Sequence, residues 1–182
     1  MDKKVGFIGH RNIGFGPIRN KLKLAIENEI KDGCKNFIMG THGSFDELAL
    51  SVCRELRQSY SDIIIEVVIT SLKQIEKKLY YSDNLGQDFE KPYSDVCTLI
   101  YEIDEAYFKN KITISNRKMI DSCSALICYV NKKHNPSGAK RAMNYAATKG
   151  IRIINLYDEK YEPTFNMTKE EKKEFFDKFF NI

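Results

Sequence analysis

Gly9-His10-Arg11, Gly40-Thr41-His42-Gly43-Ser44 and Asn135-Pro136-Ser137-Gly138 are the stretches of this chain best equipped to hold an anion. Each combines glycine with hydroxyl, imidazole or guanidinium donors, and each lies between an apolar run and a helical pattern. Backbone N–H groups at a helix start, backed by the positive end of the helix dipole, favour phosphate. Glycine lets the backbone approach that phosphate closely. Any α/β domain needs one such turn, whereas several on one edge point to a ligand. Asp46, just past the second turn, is a candidate contact for a ribose hydroxyl. Ser44-Phe45-Asp46-Glu47 also has the spacing of a capping box, in which Ser44 and Glu47 satisfy the first donors of the helix. His10 and His42 are either solvated loop tips or ligand contacts.

A fourth stretch, Ser115-Asn116-Arg117-Lys118-Met119-Ile120-Asp121, places Met119 and Ile120 toward a core. That leaves Arg117 at the front of a helix, facing the other turns or solvent. Arginine forks across phosphate or carboxylate better than lysine does. No metal is expected, because His134 is remote from His10 and His42 and no H-x-x-x-H or C-x-x-C spacing occurs. Cys34, Cys53, Cys97, Cys123 and Cys128 lie outside these turns, so a cysteine nucleophile is not expected.

Positioning these turns requires strands that end where helices begin. Residues 4–9, 36–39, 63–69, 125–130 and 151–156 read as strands, mostly apolar or β-branched. Phe15, Ile18, Leu22, Ile26 and Ile30 fall on one helical face, with Pro17 suited to its first turn and Gly33 to its stop. Phe45, Leu48, Ala49, Val52 and Leu56 mark a second helix, with further helices at 115–121 and 139–149. Residues 71–112 are polar and aromatic, and read as a lid-like insertion with a helix and one short strand. Residues 168–181 read as a charged C-terminal helix with Phe175, Phe176, Phe179 and Phe180 to dock. Alternating strands and helices, with strands too apolar to be half exposed, predict an α/β fold of three layers around a mostly parallel sheet. In such sheets ligands bind beyond the carboxyl ends of the strands.

The 182 residues match a single domain spanning 1–182, with no repeats or linkers. Lysine and arginine total 29 against 25 acids, interleaved rather than gathered in a stripe, so the charge does not call for nucleic acid. Most of the five cysteines sit among apolar residues, which suits reduced, buried thiols. No apolar run reaches the ~18 residues of a membrane span, and the first strand begins too early for a secretory leader. The expected location is cytoplasmic, without membrane partners.

Gly-His-Arg after the first strand, Phe-Ile-Met-Gly-x-x-x-x-Phe-Asp after the second, Asn-Arg-x-Met-Ile-Asp, and then Ser-Gly-x-x-x-Ala-x-x-Tyr-Ala occur in that order. In this order the chain resembles the SLOG superfamily, and within it the YpsA-like branch of small bacterial proteins. The resemblance runs nearly to Leu156 and is weakest across 71–112. It implies a Rossmann-like fold binding a nucleotide or nucleotide derivative through Gly9, His10, Arg11, Gly40, Thr41, His42, Gly43, Ser44, Asp46, Asn116, Arg117, Ser137 and Gly138. By analogy with SLOG relatives, a homo-oligomer is expected. The LOG phosphoribohydrolases of the same superfamily carry a catalytic glutamate in the late loop, where this chain has Lys140 and Arg141. Nucleoside deoxyribosyltransferases, with a similar late loop, raise the same objection. N-glycosidic cleavage needs a carboxylate near the cationic sugar, so catalysis would fall to Asp46 or Glu47, with Arg117 assisting.

The expectation is therefore nucleotide binding or sensing rather than catalysis, with no required cofactor. The alternative is an N-glycosidase or phosphoribohydrolase acting on a nucleoside monophosphate. A second alternative is single-stranded DNA binding, since the DNA-processing protein A family shares a SLOG core. Stacking tyrosines would then come from positions 80, 81, 93, 101 and 107.

Overall fold

In a computed structural model the described residues are 3–13, 18–70, 93–101, 108–133 and 136–159. Their elements run β1 (Lys4–Gly9), α1 (Ile18–Lys31), β2 (Asn36–Met39), α2 (Ser44–Arg57), β3 (Ile64–Ile69), β4 (Cys97–Ile100), α3 (Phe108–Asp121), β5 (Ala125–Tyr129), α4 (Gly138–Thr148) and β6 (Arg152–Asn155). The six strands form one sheet in the order β4-β3-β2-β1-β5-β6. Every pairing is parallel. The expected α/β architecture, three layers around a parallel sheet, is what the chain forms.

Strand periodicity explains why both faces must be covered. Val5 and Phe7 of β1, Phe37 and Met39 of β2, and Ile65, Val67 and Ile69 of β3 share one core with Ile18, Leu22 and Ile26 of α1 and the Phe45–Leu56 stripe of α2. The intervening residues Ile8, Ile38, Val68, Leu126 and Cys128 join Met119 and Ile120 of α3 and Ala142, Met143 and Ala146 of α4 on the other face. A strand buried on both faces cannot alternate apolar with polar, hence the near-continuous apolar runs. α1 packs on α2 and α3 on α4. This follows from right-handed crossovers leading outward from β1 on one side and back across to β5 and β6 on the other.

Helix ends follow local chemistry. Gly33 (φ 86°) and Gly150 (φ 70°) stop α1 and α4 in the left-handed conformation. Beyond each, Cys34 N donates to Glu29 O and Ile151 N to Ala146 O, the long back-bond of a Schellman motif. Glu29 itself is nearly fully buried on α1 and accepts from Arg152 of β6 at 2.6 Å, which supplies the partner a buried carboxylate needs.

One expectation changes. The helix read as 115–121 begins at Phe108. Ser115 is buried in the middle of this helix. Within the stretch read as an insertion, β4 supplies the short strand at the sheet's edge, with Cys97 and Ile100 exposed. Residues 71–92 and 102–107, Gly14 to Pro17, His134, Asn135 and the C-terminal helix read at 168–181 lie outside the described residues. Among the described residues no helix is long and apolar enough to cross a membrane.

Candidate functional site

β1 leads to α1 on one face and β5 to α4 on the other, so the sheet's topological switch point lies between these two neighbouring strands. They end in register, Gly9 beside Tyr129. A crevice at such a point, beyond the strand carboxyl ends, is where open α/β sheets hold ligands. His10 bridges it. Its backbone N–H donates to Tyr129 O at 3.1 Å, and its ring Nε2 accepts from Asn131 N at 2.8 Å. An accepting Nε2 requires a neutral ring with its proton on Nδ1. From the other side, Asn155 of β6 accepts from Val130 N at 3.0 Å and donates to Val130 O at 2.9 Å. The exit of β5 is thus held by one side chain from each neighbouring strand.

The turn after β2 is built differently from its expected capping box. The residue capping α2 is Gly43, with no side-chain cap. Ser44 instead reaches across the fold: its N–H and its hydroxyl both donate to Arg11 O, at 2.8 and 2.7 Å, and its Oγ accepts from Ile13 N at 3.1 Å. The Ile13 N–H, rather than a donor of the helix itself, takes the lone pair of this hydroxyl. Asp46 takes up the local donor, accepting from His42 N at 3.0 Å. Glu47 is exposed and only its N–H, bonded to Gly43 O, contributes to the helix start.

Charge in this turn is set by burial and by near neighbours. Burial pushes the Asp46 carboxyl up to about 6, against the opposing His42 N–H bond, with the Glu47 charge adding to the rise. Burial, and secondly the Arg11 guanidinium, lowers His42 below its ordinary value. His42 Nε2 lies 3.4 Å from the hydroxyl of Thr70, a buried residue just past β3. Thr41 Oγ1 is shielded from solvent and has no hydrogen-bond partner among the described residues. A reading of the chain alone misses Thr70 and Asn131. Thr70, the first polar residue after a β-branched run, carries a legible signal; Asn131 acts through its backbone and carries none.

The turn glycines serve different ends. A Cβ on Gly9 would sit 2.3 Å from Phe45 Cγ; on Gly43, 2.8 Å from Arg11 Cα; on Gly40, 3.1 Å from Asp46 Oδ2. These glycines let protein pack against protein. For Gly138 alone among the four, a Cβ would meet nothing within 4 Å among the described residues, and its φ is not positive. It is the first residue of α4, whose first turn holds no acid and whose cap is Ser137, accepting from Lys140 N at 3.1 Å. α2, by contrast, has Asp46 and Glu47 in its first turn.

Asn116 and Arg117 are not brought to this edge. With α3 starting at Phe108, Arg117 lies one turn from its end at Asp121, which leads into the beginning of β5. There its guanidinium stacks 5.2 Å from the Tyr145 ring centroid, and the Tyr145 hydroxyl donates to Asp121 at 2.9 Å. Tyr145 lies in the last turn of α4. In a parallel sheet this is the amino-terminal rim, opposite the crevice. Gly9 to Arg11, Gly40 to Ser44, Asp46, Ser137 and Gly138 do lie on the carboxyl-terminal edge. An open groove of about 670 Å³, with Leu24 and Ala25 of α1 facing Leu156 and Tyr157, contains none of them.

Among the described residues no three His, Cys, Asp or Glu side chains gather to hold a metal. Burial raises the thiols of Cys34 and Cys53, and pushes Cys123 and Cys128 up to about 12, away from nucleophilic thiolate. No protein-family model matches the chain, and no curated protein matches its sequence.

Proposed function

We propose that the protein binds a phosphorylated, nucleotide-type ligand across the switch point between β1 and β5, with the phosphate on the turn that opens α4. The observation that carries this reading is Gly138. It offers unfilled space at the first residue of a helix without acids in its first turn, followed by Lys140 and Arg141. That combination favours an anion through the backbone N–H groups, the helix dipole and the nearby cations together. The resemblance to the SLOG superfamily supports the same ligand class.

A Cβ at Gly138 would meet nothing within 4 Å among the described residues, so Gly138→Val should fold with a melting temperature near wild type. It should nevertheless lose nucleoside monophosphate binding by calorimetry. Arg117→Ala, at the opposite rim, serves as the control and should bind as wild type does. Unchanged affinity in Gly138→Val would remove the α4 turn from the site.

One observation favours a second reading, N-glycosidic cleavage of the bound nucleotide. A carboxyl raised to about 6 is poised for proton transfer near neutral pH. Incubation with nucleoside monophosphates, followed by chromatography for free base, is expected to show no release. Steady release that disappears in Asp46→Asn would establish the enzyme and place its carboxyl on the β2–α2 turn.

A further inference from the structure

We infer that the groove between α1 and β6 is a docking surface for the chain's own residues 168–181, which lie in it as a helix and complete the layer on that face of the sheet.

The face that carries α1 and α2 is short of cover at this edge. A helix is about 10 Å across and strands lie ~4.8 Å apart, so one helix covers about two strands. Two helices therefore leave part of a six-stranded face open. The open part is at β6. On this face Phe7 of β1, Phe37 of β2 and Ile127 of β5 are wholly buried. Ile154 of β6, with Leu156 and Tyr157 just beyond it, packs on the same core but is only half-buried.

α1 is built for a neighbour there. Ile18, Leu22 and Ile26 turn one stripe to the core. Lys21, Leu24, Ala25 and Asn28 form a second stripe, at i, i+3, i+4 and i+7, and line the groove of about 670 Å³. Leu24 is 57% exposed, more than any other large apolar side chain among the described residues. Ala25 beside it is small enough to let another helix come close. On the opposite side the chain runs from Asn155 to Glu159 along the groove, tied to α1 where Lys21 meets Asp158 at 2.8 Å.

The occupant follows directly in sequence. Thr168 and Glu171 have capping-box spacing. Phe175, Phe176, Phe179 and Phe180 then share one helical face, with Glu174, Asp177 and Lys178 opposite. Four rings on one face need an apolar surface, and Leu24, Ala25, Leu156 and Tyr157 supply one. The intervening residues 160–167 can span up to about 28 Å, enough to lead back along the groove. So short a tether holds the segment at an effective concentration of about millimolar, ahead of a separate partner or a second copy. Tyr157 packs edge-on against Tyr129, whose carbonyl accepts from His10 N, so the docked helix braces the exit of β5 from behind.

The test is nuclear magnetic resonance on the full chain, with protonated leucine methyls and phenylalanine rings in a deuterated background. Nuclear Overhauser effects should join the Leu24 methyls to rings among Phe175, Phe176, Phe179 and Phe180, each assigned through a Phe→Leu variant. Leu24→Lys, a change that costs little on a bare surface, should lower the melting temperature by roughly 3–10 °C, since it removes a buried leucine. Absence of contact between Leu24 and these rings overturns the proposal, as does an unchanged melting temperature in Leu24→Lys. A second copy seated on the groove overturns it too, and is recognised by the same effects appearing between leucine-labelled and phenylalanine-labelled chains in a mixture.

Discussion

Gly9→Ala should destabilise the protein by about 3 kcal/mol or more, the upper part of the range for overpacked cores. The new methyl carbon would lie 2.3 Å from Phe45 Cγ and 2.5 Å from its Cβ and Cδ1. Flexible ends of side chains yield to such contacts, but these atoms are the root of a fully buried ring. Phe45 stacks on Tyr129 at 6.1 Å and is anchored in the first turn of α2. Relief requires the helix to move away from the sheet, which would also pull Ser44 from Arg11 O. Gly138→Ala provides the contrast. Its Cβ meets nothing, and losing unfolded-chain freedom should leave it neutral or up to about 1 kcal/mol more stable. Urea unfolding of the two variants measures both. A Gly9→Ala protein as stable as wild type would show that the strand-to-helix contact is loose.

Asp46→Asn should make the protein more stable above pH 6, by about 2–3 kcal/mol, with the gain vanishing below pH 4. Burial raises the Asp46 carboxyl from 3.8 to about 6, and a tenfold change in an acid's ionisation constant corresponds to ~1.4 kcal/mol. Between these values the unfolded chain has released the proton while the folded protein keeps it. Stability therefore falls as pH rises from about 4 through 6, then levels once both states are ionised. Asparagine retains an oxygen for His42 N but carries no charge to desolvate, so its stability lacks this fall. For a domain of this size the difference at pH 7.5 amounts to roughly 4–12 °C in melting temperature, at ~2–4 °C per kcal/mol. Melting temperatures of the two proteins measured from pH 4 to 8 should converge on the acid side. Curves that instead run parallel throughout would mean that the carboxyl is well solvated.

Helix and strand boundaries were legible wherever periodicity met clear punctuation. α1 and α4 end at the glycines that a reading of the chain picks out, because only glycine adopts positive φ at little cost. The start of α3 was not legible: Phe108 to Ile114 mix lysines and asparagine with apolar residues and carry no clear start signal, and only the folded structure shows that Ser115 lies mid-helix. The same ambiguity misplaced Arg117. A helix beginning near 115 turns that residue toward the ligand edge, whereas one beginning at Phe108 carries it to the far rim beside Tyr145. The capping-box spacing of Ser44 and Glu47 was similarly local information. It could not register that the Arg11 carbonyl, 33 positions away, lies 2.7 Å from the Ser44 hydroxyl.

By itself, the order of apolar runs and helical stripes determined a parallel α/β sheet covered on both faces, and with it the edge where polar turns gather. Those properties depend on periods of two and 3.6 residues, which any short stretch displays. Only the tertiary structure decided what each turn does. Gly9, Gly40, Gly43 and Gly138 are the same residue type in similar company, yet a Cβ on three of them would meet Phe45, Asp46 or Arg11, whereas one on Gly138 would meet no described residue. Whether a glycine makes room for protein or for a ligand depends on what lies across from it, and that neighbour is set by chain segments distant in sequence.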